Sequence, residues 1–381
     1  MRRRANMKIG LVYRNIAVTR SGLGGGGDVF VIYLLRALKE LGHEVVLATT
    51  KPTNWELIER SLGWVFRPDE ERRLTIMPDV DGFRLYRNLL PAPLVEKLKK
   101  DCDVTFDAYG LNLLWNLDIT YLHTPPTKDE LDAKYSRGMH TKLYYKLYKY
   151  LTDKKLKKLK TKVLTNSEYS RRIIQETLGI DSQVVYPPVD TELYSKLAAN
   201  KSRNNVVLTV GRYTWERKLD LIADLAFLVP EAEFYIVGNT IMKYACEVIT
   251  FIKSKAERLG VSNRVHIHVD VLLKDKMDLM SKAKVYVNTL RDEHFGIAVA
   301  EAMSAGMVPI VPNSGGQCEI VPSKEFTYEN IEEAADLIRK WLNDWNPSIA
   351  KRLSLAAEKF SYSRFKNEIG ELLSTFEDPK L

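Results

Sequence analysis

The chain has 381 residues, 45% of them apolar and 28% charged, the balance of a folded globular protein and not of a disordered one. At roughly 100 to 200 residues per domain it is too long for one ordinary core, which excludes a single small module and points to two domains with a cleft between them. Fifty-seven Lys and Arg against 49 Asp and Glu leave a formal charge of +8, which favours an anionic partner (a phosphorylated ligand, nucleic acid or anionic lipid) without choosing among them.

Residues 7–13, MKIGLVY, read as a buried parallel strand. GLGGGGDVFVIYLLRALKELGHEVVLAT then supplies a glycine turn, an amphipathic helix and a second strand, one right-handed βαβ unit. Apolar runs at 104–108, 118–122, 163–166 and 183–186 continue the alternation, so an open parallel sheet with helices on both faces is expected. Two successive prolines in VVYPPVD break the pattern, and the domain boundary is placed at Pro187. Beyond it NNVVLTVGRY, AEFYIVGN, RVHIHVDV, AKVYVNTL and MVPIVPN predict five more strands, a second doubly wound α/β sheet. Helices are expected at 331–344 and 349–376. The first domain is therefore 1–187 and the second 188–359, with a closing helix, 360–381, returning to the first.

Open α/β sheets bind ligands beyond the carboxyl ends of their strands, and three loops there carry the chemistry. In RDEHFGIAVAEAMSAG a helix starting near Phe295 leaves the amides of Phe295, Gly296 and Ile297 without intrahelical acceptors, a ready phosphate site. Glu293 and Glu301 would lie up to about 12 Å apart along that axis. Glu301 either accepts hydrogen bonds from two vicinal hydroxyls or pairs with a Lys of a neighbouring helix. In LTVGRYTWERK a strand ends at Gly211 and is followed by Arg212, Arg217 and Lys218, which either neutralise a pyrophosphate or form a solvated basic turn. In SGLGGGGDVF the glycines, Gly25 and Gly26 among them, allow close approach of a ligand to backbone or make a bare flexible loop. GxGxxG fits at Gly22 to Gly27, but no acid follows about 20 residues on, so the dinucleotide fingerprint is not met.

Together GGGG after the first strand, VGRYTWERK and EHFGIAVAEAMSAGMVPIVPNSGG resemble the retaining GT-B glycosyltransferases of family 4 over nearly the whole chain. YLHTPP, KLYYKLYKYL, TNSEYS, VVYPPVD and EHFGI are similar to the α-1,2-mannosyltransferases that extend the dolichol-linked oligosaccharide from GDP-mannose. The resemblance implies two Rossmann-like domains around a cleft, the first for acceptor and the second for nucleotide sugar. It gives Glu293 the sugar hydroxyls at the reacting end and Glu301 the ribose. Phe295, Gly296 and Ile297 would cradle phosphate, and Arg212 would stabilise the departing diphosphate. The family's Lys, five positions after that Arg, falls on Arg217 here, with Lys218 beside it. His123 matches a His facing the donor sugar; without the family it reads as a core histidine bonded to a carbonyl. His294 adjoins Glu293, and Gly211 borders the donor, as does the turn Asn313 to Gly316. His43, His266 and His268 read as structural.

The implied reaction is front-face transfer of a hexose without a covalent nucleophile, a cofactor or a metal. Cys102, Cys246 and Cys318 are too few and too scattered for a disulfide scaffold or a CxxC metal site, so a reducing cytoplasm is expected. No apolar run approaches the ~20 residues that span a bilayer, and residues 2–4 lead into a strand instead of a signal-peptide core. Residues 141–162 hold nine lysines and one acid. On a helix they either dock on an anionic membrane beside a lipid-linked saccharide acceptor or turn their leucines inward. The rivals are a family 4 enzyme using UDP-glucose or UDP-N-acetylglucosamine with a soluble acceptor, a GT-B nucleotide-sugar epimerase, and a basic module for nucleic acid. The last lacks a recognisable motif.

Overall fold

The computed structural model describes residues 6–19, 22–73, 92–110, 115–124 and 160–376. The lysine-rich segment lies outside them except for residues 160–162. Two parallel sheets fall on either side of Pro187. The first runs Glu70–Arg73, Glu44–Thr49, Lys8–Val12, Val104–Asp107, Ile119–Leu122, Lys162–Thr165 and Gln183–Val184. The second runs Val265–Val269, Glu233–Gly238, Asn204–Val210, Ala283–Val287, Val308–Pro312 and Thr327–Tyr328. In both, the order reverses beside the first strand, which opens a crevice at the carboxyl edge.

The expected strands form because their cores are continuous β-branched and aliphatic runs buried on both faces; Val104–Asp107, for example, is buried at all four positions. Three short additions were not expected. Glu70–Arg73 is EERR, a polar edge strand whose charges blunt the exposed side of the sheet. Val18–Thr19 and Gly22–Leu23 pair as a small hairpin ahead of the glycines. Thr327–Tyr328 adds two residues to the far edge. All are too short or too polar to show an apolar period.

The helix expected over 349–376 is two helices, Pro347–Ala357 and Tyr362–Ser374. Ser361 breaks the run because it bridges to Val189 and caps the second helix through the Arg364 amide. That break redirects the chain to the first sheet, where Phe365 packs edge-on to Phe30 at 5.5 Å between centroids. The helix expected to open at Phe295 begins two residues later, at Ile297. Phe295 is buried between Tyr186 and Phe360, and Gly296 turns the chain at φ +102°, a conformation that favours glycine.

Arg203 ties together the far ends of the helices that carry the second half of the site. It is 7% exposed and donates to the carbonyls of Met280, Ala283, Leu197 and Ala305, with Trp345 against its guanidinium. A cation at helix carboxyl ends needs no acid to satisfy it. Arg203→Ala would leave these acceptors buried and unpaired, and we expect a loss of about 3 kcal/mol, read as a lower urea midpoint, with Arg203→Lys restoring part of it.

Candidate functional site

Loops from the carboxyl ends of the two sheets meet at the glycine run. A methyl group placed on Gly25 would lie 3.7 Å from the Arg212 guanidinium carbon, and one on Gly26 would lie 3.3 Å from Ile297 Cδ1. The Asn239 side chain, at the end of Glu233–Gly238, donates to the Gly24 carbonyl at 3.4 Å. Glycine thus leaves room for the first half to rest against both the basic loop and the helix corner of the second.

The corner itself is an anion-binding geometry. Among the described residues, the amides of Phe295, Gly296 and Ile297 meet no acceptor, and no acid occupies the first turn of Ile297–Ser304. Arg217 reaches Glu293 at 3.3 Å, each side chain under 20% exposed, and lies so close to Gly211 that a Cβ there would be 2.8 Å from a guanidinium nitrogen. Lys218 is exposed, holds φ +51° and makes no ion pair among the described residues. Three of the four described non-glycine residues with positive φ, Lys218, Asp270 and Asp292, stand in loops that follow strands of the second sheet. Such strain collects where the surrounding fold forces a loop into a working shape.

Glu301 pairs with Lys276 of the helix Leu273–Lys282 at 2.6 Å, the two side chains 15% and 16% exposed. Lys276 also donates to the Tyr194 hydroxyl at 3.1 Å, and Tyr194 bonds to Glu301 in turn. Burial pushes the Tyr194 phenol well above its usual range, with the Glu301 charge adding to it, so it stays a neutral donor. From the first half Tyr33 donates to Asp190 at 3.3 Å and feels the same Glu301 charge. Lys276, Tyr194, Tyr33 and Asp190 had no distinguishing spacing in the sequence. They are polar residues on ordinary helices or at a linker, and only the fold gathers them.

His123 stands behind the glycine run, its ring carbon 4.0 Å from where a Gly27 methyl would lie. Nε2 is 2.8 Å from the Ala108 carbonyl oxygen and therefore carries the proton. Burial against Phe30 and Tyr121 lowers its pKa to about 4, the carbonyl bond opposing, so the ring is neutral near pH 7. His294 turns away from the corner. Its carbonyl accepts from Ser167 at 2.5 Å and its Nδ1 lies 3.3 Å from Ser170 Oγ, on the first-half helix Glu168–Leu178 and its cap. Phe295 contributes backbone to the corner and its ring to the core. His43 bonds the Met7 amide and His266 bonds Glu233, away from these loops.

The turn after Val308–Pro312 braces the Glu293 loop. Gly315 has φ +81°, and a Cβ there would meet Glu293 backbone atoms at 2.5 and 2.7 Å. The Gly316 amide donates to the Glu293 carbonyl at 2.8 Å. Buried Gln317 bonds Asn288, Leu290 and Ser314. Cys318 donates weakly to Pro312 and takes no part.

Residues 24–193 match the family model described as Glycosyltransferase Family 4, and residues 190–360 match Glycosyl transferases group 1. A Dictyostelium discoideum GDP-Man:Man(3)GlcNAc(2)-PP-Dol alpha-1,2-mannosyltransferase is 26% identical over 217 residues, 52% of this chain and 43% of that protein. The human protein of the same name is 24% identical over 52% of this chain and 42% of its own length. The chain thus spans under half the length of these relatives. The Dictyostelium alpha-1,3/1,6-mannosyltransferase ALG2 is 24% identical over 94% of this chain and 97% of its own. Among solved structures, HepE of Anabaena with UDP and glucose superposes with a TM-score of 0.72 at 19% identity, covering 97% of this chain and 100% of that one. Sucrose-phosphate synthase of Thermosynechococcus elongatus gives 0.73 at 17% identity, with 97% and 99% covered. These likenesses establish the GT-B fold.

The neutral His123 makes a prediction about stability. The folded chain keeps it unprotonated down to about pH 4, whereas an unfolded histidine protonates near its ordinary 6.5. Its contribution is therefore complete above pH 6.5 and is lost as pH falls from there towards 4, by at most about 3 kcal/mol. Urea unfolding at pH 7.5 and 4.5 should show a steeper acid loss in the native chain than in His123→Gln; equal losses would mean that the ring is not held neutral.

Proposed function

We propose that this chain, which belongs to the glycosyltransferases of family 4 and group 1, moves a mannosyl group from GDP-mannose, with retention of configuration, onto a glycan or lipid-linked saccharide acceptor. The observation that carries the reading is the approach of Arg212 and the Ile297 helix start to one glycine loop, with the Glu293–Arg217 pair beside Gly296 at the same helix corner. A diphosphate seated there would meet two guanidinium groups and free amides, which favour it in the ground state and still more as it leaves with added charge. Glu293, held by Arg217, would face the sugar; Glu301, fixed by Lys276 and Tyr194, would accept from the ribose hydroxyls. His123, as a neutral ring beyond Gly27, would border the anomeric carbon as positive charge grows there. The mannosyltransferase names of the relatives support mannose and the lipid-linked acceptor.

In this reading the charge work falls to arginines and amides, so turnover should persist in EDTA. Arg217, and not Lys218, takes the family's basic position, because its guanidinium already lies against Gly211 and Glu293. Purified protein given GDP- and UDP-sugars should consume GDP-mannose, with the product anomer matching the donor. Glu301→Ala should weaken donor binding about ten-fold, the effect of one lost charge-assisted contact. Glu293→Ala and Arg217→Ala should cut kcat/KM about 100-fold, and Lys218→Ala should leave it within about two-fold. Preference for a UDP-sugar would overturn the donor assignment, and equal effects of the Arg217 and Lys218 variants would overturn that choice.

We also propose that residues 141–162 hold the enzyme on anionic lipid at a cytoplasmic membrane face, at about 1 kcal/mol per nearby Lys. Flotation with phosphatidylserine vesicles should recover the native chain and lose a variant with Lys142, Lys146 and Lys149 changed to Glu; equal recovery would remove the patch from the account.

A further inference from the structure

A buried carboxylate stands inside the glycine loop, and none of the roles above uses it. Asp28, the third residue of the helix Gly26–Glu40, is 8% exposed. One of its oxygens accepts from the Tyr13 hydroxyl at 3.1 Å and from the Ala17 amide at 3.0 Å. The Gly25 amide also donates to the carboxylate, and a methyl group on Gly24 would lie 3.0 Å from the second oxygen. A single side chain thus ties the end of the first strand, the entry to the small hairpin and the helix cap to one point.

The reach from the third helical residue back to the cap amide is ordinary helix capping. The ties to Tyr13 and Ala17 are not, since a helix start needs neither. Both shape the backbone that faces Arg212 from the second sheet. Tyr13 and Arg212 are the titratable or charged groups bearing on Asp28, and Asp28 and Tyr13 both feel the Arg212 charge. His123 lies one glycine further along.

We propose that Asp28 is a positioning residue: it holds Ala17 and the Gly24–Gly25 backbone in the shape that receives the diphosphate of an activated sugar, with Arg212 set against it. The inference rests on the function proposed above and adds a residue to it. Burial raises the Asp28 pKa to about 6, against the opposing hydrogen bonds. The folded chain therefore keeps a proton that the unfolded chain releases between the ordinary 3.8 and about 6, and stability falls as pH rises through that window. At neutral pH the ionised carboxylate costs stability.

Asp28→Asn separates the two roles, because it keeps the volume and one acceptor oxygen but loses the charge and the acceptor for Gly25. At pH 7.5 it should melt at or above the native temperature. Hydrogen-exchange protection at the Gly25 amide should drop about ten-fold, with a smaller loss at Ala17, whose acceptor oxygen stays but loses its charge, and KM for GDP-mannose should rise about ten-fold with kcat little changed. Unchanged protection would overturn the proposal, as would melting and binding lost together, which is the mark of a structural residue. Lower protection with native KM would overturn it too while leaving the function reading intact. If the native chain consumed no activated sugar, the function reading would fail, and the exchange comparison would still decide whether Asp28 shapes the loop.

Discussion

The pairing of Glu293 with Arg217 sets the terms for the second half of the cleft, because each side chain is more than four-fifths shielded from water and neither charge would be stable there alone. The same holds one helix away, where Glu301 is balanced by Lys276. Both carboxylates are thus neutralised before any ligand arrives. In the function proposed, a diphosphate bound beside them would not face bare carboxylates, and its own charge would fall to Arg212, to the amides of the corner and to the Arg217 guanidinium it shares with Glu293. The preorganisation is electrostatic, and it depends on backbone geometry that only glycine allows at Gly296 and Gly315.

The loop that carries Glu293 belongs to the second sheet, yet the first half grips it. Ser167 and Ser170 bond His294, and Glu319 accepts the Glu168 and Tyr169 amides at 3.0 and 2.8 Å at the start of the same helix. A carboxylate at a helix amino end is well placed for both the hydrogen bonds and the dipole. With Val189 bridged to Ser361 where the chain passes back, the two halves are joined on the side of this clasp, and the glycine loop faces Arg212 elsewhere in the cleft. His294, adjacent to Glu293 in the sequence, works in that joint.

Much of this was legible in the sequence. Strands buried on both faces announce themselves as apolar runs, and the three loops were found because glycine and arginine at a strand end have few structural uses. Edge pieces such as EERR carry no such signal, and the break at Ser361 is set by Val189, 172 residues away in the chain. The helix expected near Phe295 starts at Ile297, and the sequence does not show why, because Tyr186 and Phe360, which draw the Phe295 ring into the core, come from other segments. Of the two readings of Glu301, the structure supplies the Lys partner from a neighbouring helix. Asp28 was within reach, three residues after a glycine cap, but its ties to Tyr13 and Ala17 were not.

The adjacent cations Arg217 and Lys218 show how backbone conformation decides between side chains that composition treats as equal. Trp215–Arg217 forms a single 3₁₀ turn, and Lys218 leaves it in the left-handed region. Thr289 fixes the turn by donating to the Arg217 carbonyl at 2.6 Å. The reversal at Lys218 goes with an exposed ammonium, while the preceding guanidinium lies over Gly211. A side chain at position 211 would fill that space, so glycine there and arginine six residues later are one device. An ammonium at 217 would offer a point charge where the planar fork now reaches Glu293 and lies against Gly211. Arginine at this position is therefore not interchangeable with lysine.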